Sequence, residues 1–367
     1  MYKINFEKPI HIHFIGIGGI SMSGLAEILL EEGFTVSGSD SKESPLTKKL
    51  ESEGAIIHYG QCAENISDGI DCVVYTAAIN KANPELMEAV ARKIPMLTRA
   101  ELLGQLMKNY KTPIAVSGTH GKTTTTSMIS HILLAADLDP TISVGGILKA
   151  IGGNIRVGKS ETFITEACEY TNSFLHFYPK ISVILNIEED HLDFFKDLED
   201  IRHSFHQFAA LLPSDGTLII NGDIDNYQEI YEGLDCNVIT YGSSDMLDYS
   251  AANITYDEKG LVAFDLIKNG KAVDHIQDYV LQAFSVPAAP HRFETCGVFP
   301  SLLRVTESLL FPSSPAFYAP LPLCMTPFSA KTFLCLRFRQ IFFVLFSSSL
   351  QKSFISCTHS GHNFSVY

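Results

Sequence analysis

Short apolar runs alternate along the chain with polar, glycine-bearing breaks and with segments whose apolar positions recur every three to four residues. That rhythm predicts strand, turn and helix in succession, the pattern of a parallel α/β fold. HIHFIGI (residues 11–17) reads as a first strand and runs into Gly16-Ile17-Gly18-Gly19. A helix over 21–32 puts Met22, Leu25, Ala26, Leu29 and Leu30 on one face. A second strand, Thr35-Val36-Ser37, ends at Gly38-Ser39-Asp40. Further strands are expected at 55–57, 72–76 and 95–97, the second ending in Thr76-Ala77-Ala78-Ile79. Helices are expected at 83–93, with Pro84 suited to the first turn, and at 99–107, with 109–112 as a linker.

The second half of the pattern opens at PIAVSGTHGKTTTTSMISHILLAA (113–136). Ile114, Ala115 and Val116 form a buried-strand run, and Met128, Ile129, Ile132 and Leu133 follow at helical spacing. Between them lie Gly118, Thr119, His120, Gly121, Lys122, Thr123 and Thr124. Strand, glycine loop, Lys-Thr and helix is the architecture of a phosphate-binding loop, in which glycines and a helix N-terminus turn N–H groups toward an anion. Lys122 would reach the β- and γ-phosphates and the Thr123 hydroxyl would bind Mg²⁺. The general pattern has a further glycine where this chain has Val116, so an ordinary strand-to-helix turn with a surface lysine is the alternative. Gly145-Gly146 and Gly152-Gly153-Asn154 read as two flexible turns. A strand at 162–165 ends at Glu166, followed by Ala167-Cys168-Glu169-Tyr170; another at 181–185 ends in Asn186 and then Asp190, His191 and Asp193. Three strands thus deliver polar clusters to one carboxyl edge, and Thr123, Glu166 and His191 form a candidate Mg²⁺ set. Glu169 and Asp193 stay open between ligand and surface roles. A helix over 201–212, strands at 216–223 and 238–242, and antiparallel strands over 250–280 with a turn at Lys268-Asn269-Gly270-Lys271 complete the pattern.

Composition alters this picture in two ways. The net charge of −14 argues against an electrostatic nucleic-acid binder, and no apolar run approaches the ~20 residues that span a bilayer. The first apolar run is short and carries two histidines, which argues against a signal peptide. Eight cysteines without a C-x-x-C pair read as reduced thiols, hence a cytoplasmic protein. Residues 288–367 differ from the rest. They hold two acidic residues, Glu294 and Glu307, but twelve of the 24 phenylalanines and only two glycines.

The first βαβ unit, with Asp40 about 20 positions beyond the glycines, has the form of a dinucleotide-type turn in which Gly16, Gly18 and Gly19 let a diphosphate approach the backbone. A tight βα turn is the alternative. Taken together, HFIGIGGISMSGLAE (13–27), VSGSD (36–40), TAAI (76–79), TRAELLGQLM (98–107), SGTHGKTTTTSMI (117–129), GGILKAIGGN (145–154), TEACEYTNSFL (165–175) and NIEEDHLDFF (186–195) resemble the Mur ligase family, in the family's order over about 285 residues. GIGGISMSGLAE with GTHGKT is the form of its alanine-adding branch.

The resemblance implies an α/β fold with a Rossmann-like UDP-sugar-binding domain at 1–108 and a P-loop ATPase-type central domain at 109–287, followed by a non-family tail, 288–367, expected to be disordered. It implies ATP and Mg²⁺ as cofactors and UDP-N-acetylmuramate and L-alanine as substrates, joined through an acyl phosphate, with no nucleic-acid or membrane partner. Lys122 would steady the transferring phosphoryl group, with Thr123, Glu166 and His191 serving Mg²⁺. Gly16, Gly18 and Gly19 would face the UDP diphosphate, with Ser39, Asp40, Thr76, Ala77 and Ile79 near the nucleoside. His120 and Asn154 would line the sugar-carboxylate end.

After the central domain the family continues into a Val-Pro-Gly-x-His-Asn-type motif and a third domain that closes over ATP. Here Phe284-Ser285-Val286-Pro287 begins that motif, and Ala288-Ala289-Pro290-His291 departs from it where the composition shifts. The tail therefore reads as an out-of-frame translation, with a divergent genuine tail as the alternative, and ligation by this chain is expected to be very weak or absent. Other readings are a UDP-sugar-binding remnant without chemistry, the related ligase that attaches a preformed peptide, and a nicotinamide-dependent dehydrogenase. The last leaves the phosphate loop, Glu166 and His191 unexplained.

Overall fold

The computed structural model describes residues 2–76, 78–256, 258 and 262–277. The expected tail at 288–367 and the Phe284-to-Pro287 motif lie outside the described residues, as does Ala77. The chain divides into two compact units, one of Met1–Ile220 and Ile224–Ile239, the other of Asn221–Asp223 and the residues from Thr240 on.

The first unit contains two sheets. Strands β1 (His11–Ile15), β2 (Thr35–Asp40), β3 (Ile56–Tyr59), β4 (Cys72–Tyr75) and β5 (Met96–Thr98) form a parallel sheet in the order β3-β2-β1-β4-β5. In such an order, ligands bind at the carboxyl ends, beside the strand where the winding reverses. Helices α1 (Ile20–Glu31), α2 (Pro45–Ser52), α3 (Pro84–Ala91) and α4 (Arg99–Met107) connect the strands. Their starts are set by local chemistry. Asn83 accepts from the Glu85 and Leu86 N–H groups, and Ser44/Thr47 and Thr98/Glu101 form reciprocal capping boxes. Helix α2 has no counterpart in the sequence reading; it is short and mostly polar, and its clearest signals are the Ser44 cap and Pro45.

The second sheet is built from β6 (Thr112–Ser117), β7 (Thr141–Leu148), β8 (Gly153–Arg156), β9 (Thr162–Glu166), β10 (Ile181–Ile184) and β11 (Thr217–Asn221), in the order β11-β10-β6-β9-β7-β8. All these pairs are parallel except β7 with β8. Gly145 and Gly146 therefore lie within a strand and not in a flexible turn. A Cβ at Gly145 would stand 2.9 Å from Glu166 Oε2, so this glycine serves a close approach of the carboxylate to the backbone. Helix α5 (Lys122–Ala135) follows β6. Helix α6 (Leu198–Ala209) begins three residues earlier than its apolar spacing predicts, because Asp197 caps it by accepting from the Asp200 N–H.

One continuous core joins both sheets, including Met22, Leu103, Ile155, Phe174 and Phe205. Two glycines permit the joining. The side chain of Ile155 on β8 fills the notch at Gly24 of α1, where a Cβ would lie 2.0 Å from Ile155 Cγ1. Gly104 of α4 lets the backbone oxygen of His176 approach to 1.9 Å from the position a Cβ would take.

In the second unit, the end of β12 (Asn237–Gly242) pairs in parallel with β13 (Tyr249–Tyr256) at Tyr241 and Tyr249. Strands β13, β14 (Val262–Lys268) and β15 (Lys271–Gln277) are antiparallel. The expected turn joins the last two. Asn269 and Gly270 both have positive φ, 48° and 71°, as a tight hairpin turn requires.

Candidate active site

The loop between β6 and α5 is held by its neighbours on both sides. Strands β10 and β9 flank β6, and Val116 is level with Glu166 while Ser117 is level with Ile184. The three polar clusters thus meet at one edge, as the strand-end argument anticipated. Asn186, just beyond β10, holds the loop. Its Oδ1 accepts from the His120 N–H at 2.8 Å, its Nδ2 donates to the His120 carbonyl at 3.0 Å, and its own carbonyl accepts from the Thr119 N–H at 3.1 Å. Thr119 Oγ1 accepts from the Glu188 N–H at 2.9 Å, and His120 Nε2 lies 3.6 Å from Glu188 Oε2. Gly121 takes a left-handed conformation (φ 84°) at the start of α5 and offers no side chain to cap it. The first-turn N–H groups of α5, beside the exposed Thr123 and Thr124, are therefore free of a side-chain cap.

Two carboxylates complete the cluster. Glu166 accepts from Thr123 Oγ1 at 2.9 Å and from the Gly145 N–H. Glu169 is almost fully buried, and its carboxylate receives Lys122 Nζ at 2.8 and 3.1 Å. Lys122 also donates to the Gly118 and Thr119 carbonyls at 2.6 and 3.2 Å, so it is folded back along its own loop. His191 has φ 53°, held by its N–H donating to Asp190 Oδ1 at 2.7 Å. Its Nε2 lies 3.9 Å from Glu169 Oε1 and its ring packs on Tyr170 at 4.5 Å. Tyr170 in turn donates to Asp193 at 2.8 Å. The geometry pairs Thr123 with Glu166 and sets Glu169 between Lys122 and His191. Glu169, left open by sequence reasoning, is the centre of the second pair; its signal was a glutamate three residues past a strand-end glutamate. Asp193 serves Tyr170.

Among the described residues no three His, Cys, Asp or Glu side chains form a metal cage. Mg²⁺ needs none, since it keeps waters and takes one or two carboxylates plus phosphate oxygens. A hydroxyl and a carboxylate in contact beside a free helix N-terminus fit that donor set.

The glycine turn after β1 is differently engaged. Gly16 N–H and Ile17 N–H both donate to the Ser39 carbonyl at 2.9 Å, and Gly18 N–H donates to Asp40 Oδ2 at 2.8 Å. Gly16 has φ 83°, and a Cβ there would stand 3.7 Å from Ile79 Cδ1, so the turns after β1 and β4 adjoin. Gly19 is exposed and leaves α1 without a side-chain cap. Asp40 braces the turn. Thr76 closes a turn of its own, accepting from the Ala78 and Ile79 N–H groups. Asn154 donates to the Ile20 carbonyl at 3.2 Å, which brings it to the same turn of α1. Ser39 does not fit its expected place beside the nucleoside. It is fully buried and donates to Glu85 Oε2 at 2.6 Å, because strand β2 turns this hydroxyl toward α3. Glu85 is itself buried, also accepts from Asn65, and has its pKa raised by burial. Nearby, burial and the neighbouring histidines lower His13 to about 3, which keeps it neutral.

The family described as "Mur ligase family, catalytic domain" matches residues 11–111, and "Mur ligase middle domain" matches residues 116–278. The UDP-N-acetylmuramate–L-alanine ligase of Agathobacter rectalis is 63% identical over 289 residues, covering 79% of this chain and 62% of the relative. That of Lachnospira eligens is 62% identical over 277 residues, covering 75% and 60%. The chain thus spans about 60% of the length of these curated relatives. Among solved structures, a UDP-N-acetylmuramate-alanine ligase from Thermotoga maritima has a TM-score of 0.62 at 27% identity, covering 83% of this chain and 66% of that one. A UDP-N-acetylmuramate:L-alanyl-gamma-D-glutamyl-meso-diaminopimelate ligase from Neisseria reaches 0.65 at 29% identity, covering 74% and 87%. Two family domains lying in order over well over half of its length, with relatives above 60% identity over three quarters or more of the chain, make this chain a member of the Mur ligase family.

Proposed function

We propose that this chain carries the sugar-nucleotide and ATP sites of an ATP-dependent amide ligase that joins L-alanine to the carboxylate of UDP-N-acetylmuramate, in the cytoplasmic synthesis of peptidoglycan precursor. The observation that supports this reading best is the meeting of Lys122, Thr123, Glu166, Glu169 and His191 around one helix N-terminus. Alanine is favoured as the amine over a preformed peptide because curated relatives at 62–63% identity carry the alanine-adding name; the solved alanine- and peptide-adding structures, at 27% and 29% identity, do not separate the two.

The chemistry is positioning and charge stabilisation. The loop N–H groups and α5 hold the phosphates of ATP. Lys122 swings from Glu169 to the transferring phosphoryl group, whose negative charge replaces that of Glu169. The sugar carboxylate attacks phosphorus, ADP leaves, and the amine attacks the acyl carbon to expel phosphate and lose a proton. Thr123 and Glu166 would hold Mg²⁺, with Glu169 and His191 available to a second ion once Lys122 has moved; bound Mg²⁺ neutralises charge on the phosphates.

Glu166→Gln tests the assignment. It keeps the acceptor for Thr123 but removes the charge, so Mg²⁺-dependent binding of a non-hydrolysable ATP analogue is expected to weaken about 10- to 100-fold, while Mg²⁺-free binding stays within about twofold. Equal Mg²⁺ dependence in wild type and variant, read by calorimetry, would remove Glu166 from the metal site.

The composition shift at 288 supports a further part of the reading. Residues from about 288 on are an out-of-frame translation standing where the relatives continue. Sequencing the coding DNA across residues 281–296 is expected to reveal another frame reading on as Gly-x-His-Asn. A single open frame through the tail would make these residues native and move a UDP-sugar-binding role ahead of ligation.

A further inference from the structure

Arg92, Arg156 and Arg202 each hold a carboxylate, on Glu88 and Asp68, on Asp139, and on Glu229. Arg99 does not. It is half-buried, and among the described residues no carboxylate lies within ion-pair distance of it; Nη1 donates to the neutral Ser21 Oγ at 3.1 Å. Burial pushes its guanidinium below the ordinary arginine range, with the Cys168 thiol as its counteracting partner. The nearest acid on its own helix, Glu101, is committed to the α4 cap, where it accepts from Thr98 N–H at 2.7 Å and Thr98 Oγ1 at 2.9 Å. A guanidinium removed from water without an acid is costly, and it stays charged.

Its position suggests what it awaits. Arg99 opens α4 at the carboxyl end of β5. Ser21, which it holds, lies in the first turn of α1 just past the glycine turn, and Asn154 meets that same turn. Cys168, two residues past Glu166, feels the charges of Glu169, Lys122 and Arg99 together. Arg99 is thus tied to the turn that would face a diphosphate, and its helix packs at Gly104 on the Tyr170–His176 segment that follows Glu169, the partner of the lysine that would face a transferring phosphate. A substrate reaching from one to the other passes it with its sugar end.

We infer that Arg99 receives the carboxylate of the sugar nucleotide, the group to be phosphorylated, and makes the site selective for a carboxylate-bearing sugar. The inference rests on the ligase reading above. The planar fork accepts a carboxylate through two parallel hydrogen bonds, which orients it and offsets its repulsion by the phosphates of ATP.

The test uses two sugar nucleotides with the same diphosphate, UDP-N-acetylmuramate and UDP-N-acetylglucosamine, the second lacking the carboxylate. Binding to the full chain is measured for wild type, Arg99→Gln and Arg99→Lys. Arg99→Gln is expected to weaken the muramate about 10- to 100-fold and the glucosamine less than about threefold, with Arg99→Lys between. The ligand-free melting temperature is expected to hold or rise in Arg99→Gln, since an unpaired desolvated charge is removed; a purely structural arginine would lower it. Equal losses for both nucleotides would assign Arg99 to the diphosphate, and no loss for either would remove it from the site; each overturns the inference. Should Arg99→Gln not fold, the muramate-to-glucosamine ratio in Arg99→Lys decides, and an unchanged ratio overturns it. Wild type binding neither nucleotide would instead overturn the ligase reading.

Discussion

Replacing Lys122 by methionine is expected to weaken binding of a Mg²⁺-bound ATP analogue about 100-fold and to lower stability by about 3 kcal/mol. The two losses have different origins. Lys122 Nζ is the partner of Glu169, whose side chain is only 2% exposed, so its removal strands a buried carboxylate. The nucleotide loss comes from the missing cation at the phosphates. A second change separates them. Lys122→Met with Glu169→Gln is expected to recover most of the stability, because no uncompensated charge remains, and none of the nucleotide affinity. Thermal melts and calorimetry on wild type and the two variants check this. A double variant as unstable as the single one would mean that the pair is not what Lys122 contributes to the resting fold.

Gly104→Ala is the second large effect. The new Cβ would lie 1.9 Å from the backbone oxygen of His176, and a backbone oxygen cannot rotate away as a side chain can. The better helix propensity of alanine, about 1 kcal/mol, is outweighed by the displacement of α4 from the segment it packs on. A net loss of about 2–3 kcal/mol is expected, or roughly 5–10 °C in melting temperature for a unit of this size. The segment displaced, Tyr170–His176, directly follows Glu169, so nucleotide affinity should fall with stability. The equivalent change at Gly33, where a Cβ meets nothing within 4 Å, carries only the strain of its positive φ and should leave nucleotide binding intact. Unchanged melting of Gly104→Ala would show that α4 and the 170–176 segment are not held together as described.

The strand ends were the legible part of this site. Ile114 to Val116, Phe163 to Thr165 and Val183 to Leu185 are apolar runs that stop at polar clusters, and parallel strands in such a rhythm bring their ends to one edge. What lay beyond reading was how the clusters pair. Glu169 is followed by Thr171 and Asn172, both at positive φ, which asparagine favours and threonine does not, and nothing in the spacing shows that its carboxylate meets Lys122, forty-seven residues away. Gly145 and Gly146 read as a turn because glycine marks both turns and close approaches; the approaching group, Glu166, is twenty-one residues away. The resemblance of VSGSD (36–40) to the family's motif places Ser39 near the nucleoside, while its buried acceptor, Glu85, belongs to a helix start that sequence shows only as Asn-Pro-Glu. Arg99 sits inside a capping motif, Thr98-Arg99-Ala100-Glu101, that explains its neighbours and conceals that no acid among the described residues pairs with it.

The most direct test of the central claim is a paired titration of the purified chain with UDP-N-acetylmuramate and with a Mg²⁺-bound non-hydrolysable ATP analogue, each repeated on Lys122→Met. The account predicts that wild type binds both, and that the variant keeps the sugar nucleotide within about twofold while losing the ATP analogue. Wild type that binds no nucleotide at this loop, or a variant that loses both ligands while remaining folded, would contradict the assignment of two separate sites along this chain.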